Sequence, residues 1–137
     1  MVGDYRKAHH IAVIDDDDSM RNAVEGLVRS IGHEATGFES ADDFLASNAR
    51  RLVSCIVTDI QMPGRSGLDL QKVLALEEDR TPIIFVTALP QEDIRRRAAE
   101  ASSHRLLIKP FEPDDLIRCI EDAVAGSEQK KATDSRP

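Results

Sequence analysis

The sequence predicts an α/β fold: a single doubly wound sheet of five parallel strands, with helices on both faces. Three observations carry this. Five short apolar runs, "IAVID", "EATGF", "SCIVTDI", "PIIFVT" and "RLLIK", alternate with stretches of helical periodicity. The runs are rich in Ile and Val and mostly unbroken, as in strands buried on both faces. The chain has 137 residues, 41% hydrophobic and 31% charged, which suits one domain around one core.

The elements follow in order. The first run ends in four consecutive acids, Asp15 to Asp18. After them Met20, Ala23, Val24, Leu27, Val28 and Ile31 recur at helical spacing, and Gly32 ends the helix. "EATGF" is the least apolar run and reads as an edge strand. Ser40 with Asp43, and Ser66 with Asp69, are helix starts of the capping type. Pro90 and Pro113 occupy first helical positions, each followed by acids that suit the positive end of a helix. Residues 1–8 read as an N-terminal extension and 9–125 as the domain. Residues 126–137, "GSEQKKATDSRP", carry no apolar periodicity and read as a polar, frayed tail. There is no internal repeat, and no helix-turn-helix is expected after the fifth unit.

The bulk numbers exclude several functions. A formal net charge of −7 argues against direct contact with nucleic acid, which needs a basic surface. No apolar run is long enough to span a membrane, and the polar start, "MVGDYRKAHH", lacks a signal peptide's apolar stretch. A cytoplasmic location is expected. Cys55 and Cys119 have no metal-ligand spacing around them and read as free thiols.

In open parallel sheets, ligands sit at the carboxyl ends of the strands. Here Asp15 and Asp16 end the first run, Asp59 the third, Thr87 the fourth and Lys109 the fifth. Each has a plain structural account by itself. Acids start helices, an Asp before "MPG" forms a turn, a Thr suits a strand, and a Lys before Pro can be a solvated end. Their arrival on one rim is not explained that way. Adjacent carboxylates joined by a third repel unless a cation sits among them, and oxygen ligands suit magnesium. With Lys109 and the Thr87 hydroxyl the set reads as a phosphoryl-transfer site, with Asp59 as the nucleophile.

The acid pair, "VTDIQMPGRSGLDL", "VTA" and "KPFEPDDL" occur in order, and the chain resembles the receiver domains of two-component response regulators over about residues 9 to 125. It is most similar to the FixJ-type branch. The resemblance implies a flavodoxin-like sheet of order 2-1-3-4-5. It further implies a phosphorylation-dependent signalling switch, not an enzyme acting on a separate substrate. Asp59 would accept phosphate from a sensor histidine kinase or a histidine phosphotransfer protein. Mg2+ or Mn2+ would be held by Asp16 directly, Asp15 through water, Asp59 and the backbone carbonyl of Gln61. Thr87 and Lys109 would contact phosphoryl oxygens, and Lys109–Pro110 would be cis. Asp17 and Asp18 fall to helix capping and the rim. Output would pass to a downstream protein target, or the domain would drain phosphate from a kinase. Met20 and Ala23, with Pro110 and Phe111, would form the apolar patch where the kinase-side partner docks.

Three departures from the family pattern stand out. Leu106 occupies the place of the usual Tyr or Phe, Ser102-Ser103 that of Gly-Ala, and Leu89 is an apolar residue on the rim. With no ring at 106, propagation from the site to the fifth strand is expected to be weak. Two other readings stay open. "DDDDS" fits the start of a haloacid-dehalogenase-type phosphatase, with Asp15 as nucleophile and Asp17 as acid/base. The chain could also be a degenerate receiver that serves only as a docking module.

Overall fold

The computed structural model describes residues 8–88, 96 and 105–134. The expectations placed on Leu89, Pro90 and Ser102-Ser103, and most of the segment after Thr87, lie outside these residues. Five strands form one parallel sheet: β1 (His10–Ile14), β2 (Glu34–Phe38), β3 (Cys55–Asp59), β4 (Ile83–Thr87) and β5 (Arg105–Ile108). Their order is β2-β1-β3-β4-β5, as the resemblance implies. β1 and β3 are neighbours, with Ile14 opposite Thr58, so the residues after β1 and at the end of β3 reach the same rim without a long loop.

The central strands alternate their side chains into two cores. Ala12, Ile14, Ile56, Ile83 and Phe85 point to one face and pack with Phe44, Leu70 and Leu74. These last come from α2 (Ala41–Ala46) and α3 (Gly67–Leu76). Ile11, Val13, Val57, Ile84 and Val86 point to the other face. They pack with Val24 and Val28 of α1 (Asp18–Ser30) and with Leu116, Ile120 and Val124 of α4 (Pro113–Asp134). Each such side chain contributes roughly 1.5–3 kcal/mol by leaving water. The two-sided burial is why these runs are unbroken in sequence. β2 is an edge strand, as expected. β5 is the other edge, and its burial is only partial, unlike that of the central three.

The helix ends follow from local chemistry. The Asp17 carboxylate accepts from the Ser19 and Met20 N–H groups and caps α1. At its far end Gly32, at φ +92°, closes the helix: its N–H donates to Arg29 O at 3.0 Å, and that of His33 to Val28 O at 3.3 Å. Ser66 and Asp69 bond each other's backbone in a capping box, and Ser40 caps α2 through the Asp43 N–H. One reading needs correction. The polar stretch from Gly126 was expected to fray, but α4 continues through it to Asp134. "SEQKKA" holds no Pro and several strong helix formers, so intrinsic propensity suits a helical backbone without apolar periodicity. Ala23, placed in the apolar stripe of α1, is exposed.

Candidate functional site

Each candidate site residue lies at an element terminus. Asp15 and Asp16 follow β1, Asp59 ends β3, Thr87 ends β4 and Lys109 follows β5. The structure brings three of the predicted acids together. One carboxylate oxygen from each of Asp15, Asp16 and Asp59 lies within 4.8 Å of the others. Asp15 is buried, Asp59 half-buried and Asp16 exposed.

Hydrogen bonds fix the two inner carboxylates. Asp15 Oδ1 accepts from the Asp17 N–H at 2.9 Å, and Asp59 Oδ1 from the Gln61 N–H at 3.0 Å. Their Oδ2 atoms face Lys109, whose Nζ lies 3.2 Å from Asp59 and 3.5 Å from Asp15. Lys109 is itself held at the rim, because its N–H donates to Thr87 O at 2.8 Å. Lys109–Pro110 is cis, as expected. Thr87 is fully buried beside Val86, which pairs with Asp59. Gln61 is exposed and enters the site through its N–H. Asp17 and Asp18 stand apart: Asp17 caps α1, and Asp18 pairs with Arg21 at 2.6 Å. Cys55 and Cys119 are free thiols, and burial pushes Cys55 up to about 12, which leaves it inert as a nucleophile.

Burial raises the Asp15 carboxyl above its ordinary 3.8. The Asp17 N–H and Lys109 counter this in part, and nearby Asp59 adds to it. Burial pulls Lys109 down, but Asp59 and Asp15 together leave it raised above 10.5. A carboxyl raised on folding binds its proton more tightly in the folded chain. Asp15 therefore lowers the metal-free protein's stability as pH climbs from about 3.8 through the raised value. The raised lysine acts at the other end: its contribution is complete below 10.5 and is lost as pH rises through the folded value. Urea denaturation without metal, from about pH 4 to neutrality, should show wild type losing stability relative to Asp15→Asn. A wild type that gains as much as the variant over this range overturns the assignment.

The donor set fits a hard divalent ion. Three clustered carboxylates supply oxygen ligands with no sulfur or imidazole, as Mg2+ or Mn2+ prefers. The acid cluster predicts an order of effects. Asp16→Ala should weaken Mg2+ binding at least tenfold more than Asp17→Ala does, by roughly the cost of an ion ligand. Asp17→Ala should instead cost about 1 kcal/mol of stability through the lost helix cap. Calorimetric titration and urea denaturation of both variants check this, and the reverse order of affinities would displace the metal set by one residue.

Two contributors escaped the sequence reading. Gly67 opens α3 against the end of β3, where an added Cβ would lie 2.6 Å from Asp59 O. The Thr58 hydroxyl donates to that same carbonyl at 3.0 Å. A glycine at the first position of a capped helix has no conformational need to be one, and that was the available signal.

A parallel sheet of order β2-β1-β3-β4-β5 whose strand ends gather three aspartates, a threonine and a lysine defines a doubly wound α/β domain with an acidic rim. The comparisons name it: residues 11–121 match the response regulator receiver domain, and the chain belongs to that family. It is 37% identical over 121 residues to Nodulation protein W of Bradyrhizobium diazoefficiens, covering 88% of this chain and 52% of that protein. It is 34% identical over 119 residues to the transcriptional regulatory protein FixJ of the same organism, covering 87% of this chain and 58% of that protein. A solved structure of the response regulator StyR superposes with a TM-score of 0.82 at 34% identity, covering 92% of this chain and 64% of that one. The chain thus spans about half the length of the curated relatives it matches. Among the described residues no helix is long and apolar enough to cross a membrane.

Proposed function

We propose that Asp59 accepts a phosphoryl group from a phosphohistidine of a sensor histidine kinase or histidine phosphotransfer protein. One observation carries the reading most directly. Asp59 is fixed through Oδ1, clustered with two further acids, and faced by the Lys109 ammonium at 3.2 Å. Its carboxylate oxygen forms the new bond to phosphorus as the bond from phosphorus to the donor imidazole breaks. The imidazole stays on the donor, so the phosphoryl group is conserved. Lys109 offers its ammonium to a phosphoryl oxygen, and Thr87 can offer its hydroxyl to another. Asp15, Asp16, Asp59 and the Gln61 carbonyl would hold Mg2+ or Mn2+, which when bound supplies charge neutralisation to the phosphoryl oxygens.

The chain is then a switch that modifies itself and sheds its own phosphate, and not an enzyme with a separate substrate. The hydrolase alternative needs Asp17 for proton transfer, whereas its carboxylate caps α1. The docking-only alternative leaves the complete acid, threonine and lysine set without a use. Support for the donor's docking place comes from Met20 and Phe111, which are partly buried against one core and lie in sequence just after the acids and just after Lys109, with Ala23 and Pro110 exposed. Within this chain, output runs through protein contact, in keeping with the net charge of −7. Leu106 packs partly buried against the other core and has no hydroxyl to exchange partners. Its response to phosphorylation is therefore weaker than that of an aromatic ring. Labelling with acetyl phosphate and with a phosphorylated kinase, with and without Mg2+, tests the proposal. Mg2+-dependent, acid-stable and base-labile label on wild type is expected, and transfer from the kinase should be slowed in Met20→Lys. Label on a residue other than Asp59 overturns it.

A further inference from the structure

We propose that Arg21 is a positioning residue for the acidic cluster, braced by Glu25 in the space that Gly37 leaves open. The inference rests on the reading of Asp15 and Asp16 as ion ligands. Arg21 touches no carboxylate of the cluster. Its Nη1 donates to the backbone carbonyl of Asp15 at 2.8 Å. That carbonyl belongs to the peptide joining Asp15 to Asp16, so the contact sets the plane from which both acids project. On its other side the Asp15 N–H donates to Phe38 O of β2 at 3.1 Å. Asp15 is thus tethered through both of its backbone groups, once by the sheet and once by α1.

The guanidinium is held in turn. Nη2 pairs with Asp18 at 2.6 Å, but the Asp18 side chain is 72% exposed and its charge is screened by water. Glu25 is different. Its side chain is only 13% exposed and faces Arg21 Nε at 3.9 Å, while its other oxygen accepts from Arg29 at 3.1 Å. Glu25 fits there because β2 carries glycine at 37. A Cβ at that position would lie 2.2 Å from Glu25 Oε2 and 3.0 Å from Arg21 Cδ. Glycine inside a strand weakens it and marks a close approach, and here the approaching group is the Arg21–Glu25 pair. Gly37, Glu25, Arg21 and the Asp15 carbonyl therefore form one continuous contact path.

A plain surface ion pair makes different predictions. If Arg21 positions the acids, Arg21→Gln weakens Mg2+ binding by about tenfold, as loss of a group that orients a ligand does. It also shifts the Asp15 and Asp16 amide resonances of the metal-free protein. Asp18→Asn, which removes only the exposed pair, leaves the affinity within about twofold. Gly37→Ala weakens binding in the same direction as Arg21→Gln, and adds little once Arg21 is glutamine, because both act through one contact. A folded Arg21→Gln variant with wild-type affinity overturns the inference, as does a Gly37→Ala effect that adds in full. Should Arg21→Gln fail to fold, Gly37→Ala carries the test, and wild-type affinity in that variant overturns it. The wild-type titration separates the two levels: if wild type binds no Mg2+, the functional reading falls and this inference with it. If wild type binds and the variants match it, only the inference falls.

Discussion

Asp59→Asn is expected to reduce phosphoryl acceptance to background while leaving the fold intact. The amide keeps the shape of the carboxylate, and its oxygen can still accept from the Gln61 N–H. What it loses is the negative oxygen that faces Lys109 and would attack phosphorus. Removing one charge from three clustered acids also relieves repulsion in the metal-free site. Lys109 retains Asp15 as a partner at 3.5 Å, so the unfolding transition should stay cooperative. Phosphate gels after acetyl phosphate treatment read the first effect, and urea denaturation reads the second. Wild-type labelling of the asparagine variant at any other residue would remove Asp59 from its role.

Gly67→Ala is expected to damage both stability and the site, against the usual direction. Alanine in place of glycine ordinarily favours a helix, by up to about 1 kcal/mol. Here the new methyl would meet Asp59 O at 2.6 Å and Ile60 Cα at 3.2 Å, both of them backbone that cannot rotate away. Either the start of α3 or the end of β3 must move. Overpacking of this kind costs about 1–3 kcal/mol. Movement of β3 carries Asp59 with it, so acetyl phosphate labelling should fall together with stability. A stabilised, fully labelled variant would show that α3 and β3 are not in close contact at this point.

How much of this was legible depends on whether the signal was local. Strand ends were legible because like charges crowded after an apolar run have no stabilising reason to be there, and Asp15, Asp16 and Asp59 do converge. The caps at Asp17, Ser40 and Ser66 were legible because a cap is written within four residues. Gly67, Gly37 and the Arg21 contact were not, since each depends on two elements approaching in space. The partial burial of β5 is not written in "RLLIK" itself, which is as apolar as a central run; it follows from the sheet order, which the family resemblance implies and the local sequence does not. The end of α4 was misread because the sequence reading followed apolar periodicity, whereas a helical backbone needs only favourable propensity and no Pro.

The fixing of the two inner carboxylates has a consequence for ion size. Asp15 and Asp59 each have one oxygen oriented by a backbone N–H and the other facing the Lys109 ammonium, so their planes are set and turning both oxygens of either one onto an ion would disturb these contacts. Calcium takes roughly six to eight oxygen ligands at longer distances and favours pliant sites with bidentate carboxylates. A rigid rim that offers single oxygens suits a smaller ion that keeps part of its own hydration shell. Calcium is therefore expected to compete poorly with magnesium here, a discrimination made by two main-chain hydrogen bonds and readable by competitive titration.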